Sequence, residues 1–349
     1  MSSQIQPEIR ALAPGALLDV HDLNVRFVSR EATLSAVNGV SFSLAAGEVL
    51  CIIGESGSGK SVTLRALMRL LPPDRARIGG TISIDGEDVL ALNERQLSAM
   101  RGAKVSMIFQ EPMTALDPVF TIGDQIAETI MRHHSVSRAE ADARALDLLE
   151  RVRVPSPERR LRNYPHELSG GLRQRAMIAV ALSCRPRLLL ADEPTTALDA
   201  TVQIQVLILL KKLQEEFGMG IVIVTHDLGV AAQIADKVAV MYAGQIVEYG
   251  AAREVLLEPK HPYTLGMLAS TVKGKERDQD IEAIPGNPPD MRQLPRGCSF
   301  APRCKYVEPA CLDTTPAAFP VHGTGYARCI RLAAIATHCS HAHATETGS

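Results

Sequence analysis

The stretch VLCIIG at 49–54 is followed at once by Glu55-Ser56-Gly57-Ser58-Gly59-Lys60-Ser61, and Val62 then opens a helical pattern. VLCIIG is a short, continuous apolar run bounded by glycines, which reads as a fully buried strand. A buried strand, a glycine-rich turn and a helix start in that order form a cradle for phosphate. Gly54, Gly57 and Gly59 let backbone N–H groups curl round the anion, and the helix N-terminus adds partial positive charge. At this spacing Lys60 reaches β- and γ-phosphates and the Ser61 hydroxyl ligates Mg²⁺. An incidental lysine on a glycine-rich turn would not need the whole pattern.

The loop demands a parallel α/β core, and the rest of the chain supplies one. Apolar runs recur at 188–191 and 221–224, each linked to a helical pattern, so three strands belong in a largely parallel sheet flanked by helices. Upstream, Leu18, Val20, Leu23, Val25 and Phe27 follow the near-alternation of a half-buried antiparallel strand. TISIDGEDV predicts a hairpin turning at Asp85-Gly86. Val202, Val206, Leu209, Leu210, Leu213 and Phe217 share one helix face, with Asp199 or Thr201 as its cap. From about 122 to 177 only helical periodicity is visible, which predicts a helical insertion between core strands. Beyond Pro259 prolines accumulate and periodicity fades. The expected division is a flexible N-terminus over 1–16, a nucleotide-binding domain over 17–258, a loop-rich C-terminal region over 259–335 and a disordered tail over 336–349.

Two further elements carry chemistry. LLLADE ends a buried strand with Asp192 and Glu193 at its carboxyl end, where ligands of α/β sheets collect. Asp192 can hold Mg²⁺ through water, and Glu193 can orient and polarise an attacking water. Upstream, Leu168-Ser169-Gly170-Gly171-Leu172-Arg173-Gln174-Arg175 opens a helix and offers a second phosphate-binding surface. One nucleotide cannot easily use both surfaces if they lie far apart. The economical arrangement is two chains head to tail, with Ser169, Gly170 and Gly171 of each closing over the other's ATP.

Phosphate loop, LSGG segment and LLLADE in this order resemble the ATP-binding-cassette (ABC) ATPases, over roughly residues 17 to 257. The resemblance implies a cassette with a RecA-like parallel-sheet core, an antiparallel β subdomain and a helical insertion. It also implies roles the residues alone do not reveal. Gln110 matches the glutamine that touches Mg²⁺ and the attacking water, His226 the histidine at the γ-phosphate, Asp199 the aspartate communicating across the dimer, and Phe27 the aromatic stacked on adenine. The family's segment usually reads LSGGQ; here Leu172 stands in the fifth place and Gln174 two places on.

MIFQEPMTALDP, YPHELSGGLRQR, VMYAGQIVEYG, HPYT, IPGNPPD and GCSFAPRC extend the resemblance to ATPase subunits of oligopeptide/dipeptide importers, a group that also handles nickel chelates and glutathione. That likeness implies a peripheral subunit on the cytoplasmic face of the inner membrane. It would pair with a second, sibling ATPase beneath two permeases fed by an extracytoplasmic substrate-binding protein. It also implies a [4Fe–4S] cluster on Cys298, Cys304, Cys311 and Cys329. The gaps of five, six and seventeen residues are not the CxxC pairs of zinc ribbons, although zinc is the alternative to a cluster. Cys51 and Cys184 sit in apolar sequence and are expected to be buried thiols.

Composition narrows the alternatives. No apolar run approaches the roughly 18–20 residues that span a bilayer, and no secretory signal pattern opens the chain. With 37 basic against 39 acidic residues there is no overall positive field for a nucleic acid. The competing reading is a soluble ABC ATPase acting on DNA or ribosomes. It would call for a long coiled coil inside the cassette or a second cassette in the chain, and neither is seen.

Overall fold

In a computed structural model of the chain, residues 15–30, 32–196, 198–270, 283–321 and 323–335 are described. The disordered tail expected over 336–349, with Cys339, lies outside them, as do all but residues 15 and 16 of the expected N-terminal segment. Among the described residues twelve strands form two sheets. The first contains β1 (Leu18–Val28), β2 (Thr33–Leu44), β4 (Ala76–Ile84) and β5 (Glu87–Asp88), antiparallel in the order β2-β1-β4-β5. The second is built on β3 (Val49–Ile53), β6 (Val105–Ile108), β7 (Leu188–Asp192), β8 (Gly220–Thr225) and β9 (Lys237–Tyr242), parallel in the order β9-β3-β8-β7-β6.

The uninterrupted apolar runs follow from where that parallel sheet sits. Successive side chains of a strand face opposite ways, so a strand covered on both faces needs no polar alternation. Cys51, Ala191, Ile223 and Val240 face a cluster built with the helices. Ile52, Leu190, Val224 and Ala239 face a second cluster shared with β1, β2 and β4. The result is three layers, with the antiparallel sheet on one side of the parallel sheet and helices on the other. Cys51 and Cys184 are buried, as expected, and desolvation pushes the Cys51 thiol up to about 12.

From Ile122 to Leu182 the regular elements are all helical, chiefly Ile122–His133, Arg138–Arg151 and Gly170–Leu182. Thr121 and Ser137 cap the first two by accepting the N–H groups of Asp124 and Glu140. Asp199 rather than Thr201 caps the helix Ala200–Phe217, accepting the Val202 N–H at 3.0 Å. Among the described residues no helix is long and apolar enough to cross a membrane.

The C-terminal region departs from a loop-rich appendage in one respect: it completes the central sheet. β9 turns into β10 (Gln245–Ala251), which pairs with β12 (Tyr326–Ala327), and β12 pairs with β11 (Phe319–Pro320). Tyr263 of the helix Pro262–Ala269 is fully buried. Glu248 of β10 is 1% exposed, and its carboxylate accepts the Lys260 N–H at 2.7 Å and the His261 N–H at 2.9 Å. Truncating it strands two N–H groups in the interior. Glu248→Ala is therefore expected to cost about 2–4 kcal/mol. A urea midpoint that did not move would contradict this anchoring role.

Candidate active site

The phosphate loop is shaped by close backbone packing. A Cβ on Gly54 would stand 2.1 Å from the Met241 carbonyl oxygen, and one on Gly59, at φ +104°, would stand 2.4 Å from that of Ala36. Only glycine fits either place. The Gly244 N–H donates to the Ser58 carbonyl at 2.9 Å, so the β9–β10 turn braces the loop from outside. Lys60 opens the helix Lys60–Leu67 and is only 5% exposed. Its Nζ donates to the carbonyls of Gly54 at 2.7 Å and Glu55 at 2.8 Å. Burial lowers its pKa, opposed by the carboxylates of Glu193, Asp192 and Glu55. Ser56 and Gly57 are exposed at the loop's tip, while Val62 is half-buried against the second core cluster.

Asp192 ends β7 with no exposure at all. One carboxylate oxygen, Oδ1, accepts the Ser61 hydroxyl at 2.7 Å, and the other, Oδ2, is buried without a hydrogen-bond partner. Desolvation raises its pKa, partly offset by the Ser61 hydrogen bond. An orphaned buried carboxylate oxygen beside a serine hydroxyl is an all-oxygen donor set suited to a hard cation such as Mg²⁺. The buried Ser58 hydroxyl also lacks a partner, which leaves a hydrogen-bonding group in the cradle for phosphate.

Glu193 gathers the rest. It stands just past the sheet edge at φ +47°, a conformation few non-glycine residues adopt. Its N–H donates to the Val224 carbonyl at 2.9 Å, which ties that turn to β8. Gln110 Nε2 donates to Glu193 Oε2 at 3.1 Å, the Thr196 hydroxyl donates to the same oxygen at 2.8 Å, and His226 Nδ1 lies 3.5 Å from Oε1. Three residues drawn from different strand ends thus meet on one carboxylate. Thr196 was not anticipated from the sequence, although its place three residues after Glu193 is that of a turn hydroxyl bonding back.

Other expected site residues lie apart from this constellation. Ser169 is exposed at the start of Gly170–Leu182 and caps nothing with its side chain; Gly170 is exposed beside it, and Gly171 packs close to Val202. Leu172 packs against the core, and Gln174 is 2% exposed with its Nε2 on the Pro194 carbonyl at 2.5 Å. Gln174 therefore cannot replace a surface glutamine at the fifth position; it ties the LSGG helix to the turn after Glu193. Phe27 is half-buried near the end of β1, opposite Leu34 and Ala76. Asp199 is exposed and acts as the helix cap described above.

Cys298, Cys304, Cys311 and Cys329 line one small cavity, together with His261, Tyr306 and Arg331. Burial raises the thiols of Cys298 and Cys304, and takes Cys329 to about 11. Among the described residues no group of three or more histidines, cysteines or acidic side chains is arranged to hold a metal ion. The four cysteines thus line one cavity, but the metal site expected of them is not formed among the described residues.

A strand-loop-helix phosphate cradle, a buried aspartate on its serine and, directly after that aspartate, a hydrogen-bonded glutamate together define a P-loop nucleotide hydrolase. The family descriptions "ABC transporter" and "Oligopeptide/dipeptide transporter, C-terminal region" match residues 37–196 and 247–311. The chain is 49% identical over 300 residues to the oligopeptide transport ATP-binding protein OppD of Salmonella typhimurium, covering 86% of this chain and 89% of that one. It is 47% identical to OppD of Bacillus subtilis, covering 89% and 88%. A dimeric ATP-binding cassette solved in a post-hydrolysis state with ADP and Pi superposes at a TM-score of 0.61, with 30% identity over 68% of this chain and 99% of that one. The chain belongs to the ABC transporter ATP-binding subunits that carry the oligopeptide/dipeptide C-terminal region. It is an ABC ATPase that binds ATP and Mg²⁺ and hydrolyses ATP in coupling to transport.

Proposed function

We propose that this subunit energises the import of di- or oligopeptides from the cytoplasmic face of the inner membrane. It would work beneath two permeases, paired with a sibling ATPase and served by an extracytoplasmic binding protein. The segment from Phe109 to Phe120 carries the reading. Gln110 touches the reaction carboxylate, while Phe109, Met113, Val119 and Phe120 expose 39%, 50%, 70% and 49% of their surfaces. One end of the segment senses the nucleotide site, and the other presents an apolar surface to a partner. Ser169 and Gly170, exposed at their helix start, with Gly171 beside them, suit a nucleotide held by the sibling subunit. Relatives named as peptide transport ATP-binding proteins support the substrate class.

The proposed roles rest on these positions and on the resemblance to ABC ATPases. Lys60 and the loop N–H groups hold the β- and γ-phosphates, and Phe27 provides a ring for adenine. Ser61 and Asp192 would hold Mg²⁺, which would neutralise phosphate charge. Glu193 accepts hydrogen bonds from Gln110 and Thr196, which fix its carboxylate to orient a water and take up its proton. His226, beside it, would donate toward the γ-phosphate, and Gln110 would also reach the cation and the water. Asp199 carries the state of one site across the dimer. The test is affinity capture of the chain from native membranes, with identification of what co-elutes. Two multi-spanning permeases and a second ATPase are expected. Capture from the soluble fraction with ribosomes or DNA would overturn the transport assignment.

We further propose that Cys298, Cys304, Cys311 and Cys329, which line one cavity, hold a [4Fe–4S] cluster, with zinc as the alternative. Protein purified anaerobically is expected to be brown, with about four iron and four sulfide per chain. Colourless, iron-free protein from anaerobic, iron-replete cells would remove the cluster from this account.

A further inference from the structure

Glu55 is the second residue of the phosphate loop, and two groups from the C-terminal region hold it. Its backbone N–H donates to the Tyr263 hydroxyl at 2.9 Å. Its carboxylate receives a two-pronged guanidinium: Arg303 Nη1 donates to Oε2 at 2.8 Å and Nη2 to Oε1 at 3.0 Å. The Arg303 side chain is only 6% exposed. Nε donates to the Pro285 carbonyl at 2.9 Å, and Nη1 reaches the Tyr242 hydroxyl at 3.3 Å. Tyr242, Tyr263 and Phe300 pack round it with ring centroids 4.6–5.4 Å apart. Parallel, charge-assisted hydrogen bonds to a fixed fork set both the place and the direction of a carboxylate.

The electrostatic setting gives the pair a purpose beyond packing. Lys60, the phosphate-binding cation, donates to the Glu55 carbonyl. An unpaired carboxylate on that same loop would repel a nucleotide triphosphate, and a partly buried charge is weakly screened. We propose that Arg303 is a positioning residue of the ATP site: it cancels and fixes the Glu55 charge, so that nucleotide affinity is set in part by the C-terminal region. The loop and its counter-charge are 248 residues apart in the chain.

The test is titration of the full-length chain with a fluorescent ATP analogue and Mg²⁺, with thermal midpoints measured in parallel. Arg303→Gln removes the charge and is expected to weaken binding about 10-fold, with the deficit shrinking as salt rises. Arg303→Lys keeps the charge but loses the fork, and is expected to fall between the wild type and Arg303→Gln. The double variant Glu55→Gln/Arg303→Gln removes both charges and is expected to recover most of the lost affinity. Wild-type affinity in Arg303→Gln would overturn the proposal. So would a double variant as weak as the single one, because the arginine would then act as scaffold alone.

Discussion

Glu193→Gln is expected to reduce steady-state ATP hydrolysis by about 10²- to 10⁴-fold, the range a positioned general base contributes. Nucleotide binding should survive, because the phosphate loop, Lys60 and Asp192 are untouched. The substitution nearly preserves volume, so Gln110, Thr196 and His226 keep a neighbour of the same shape. What is lost is the anionic oxygen that draws a proton from water. With hydrolysis stalled, the ATP-bound pair of subunits should accumulate, visible as nucleotide-dependent co-elution with the second ATPase. Turnover at the wild-type rate would mean that Glu193 is not the base and that its strained backbone serves only the turn.

Lys60→Ala should act at an earlier step and weaken MgATP binding by about 10- to 100-fold, the range for a lost charge-assisted hydrogen bond. Lys60 is buried and already pinned to two loop carbonyls, so the cation is delivered with little further ordering. Alanine removes the charge and leaves those carbonyls turned toward an anion. A fluorescent-nucleotide titration reads the loss directly. Affinity unchanged from the wild type would show that backbone N–H groups suffice to hold the phosphates.

These two variants probe the part of the molecule most legible in the sequence. Strands β3, β7 and β8 are buried on both faces, so each is written as an unbroken apolar run, and the residues just past those runs lie in the site. Strand β2 and the β9–β10 hairpin were not anticipated as strands. VMYAGQIVEYG was noticed only as a motif, and the pairing that makes it a sheet edge is not local. The C-terminal region offered prolines and cysteines and little period. Its burial rests on Tyr263, on Glu248 holding the Lys260 and His261 N–H groups, and on β12 closing against β10.

The residues alone determined the phosphate loop, the strand that feeds it and the acidic pair that faces it, because each depends on chemistry and spacing within a few positions. Tertiary structure decided that Gln110, Thr196 and His226 share one carboxylate, that Gln174 is buried rather than displayed, and that Arg303 answers Glu55. Those contacts join side chains whose separation in sequence carries no periodic trace. Only the packing of the three layers, with the C-terminal region closed over the phosphate loop, brings them within hydrogen-bonding distance.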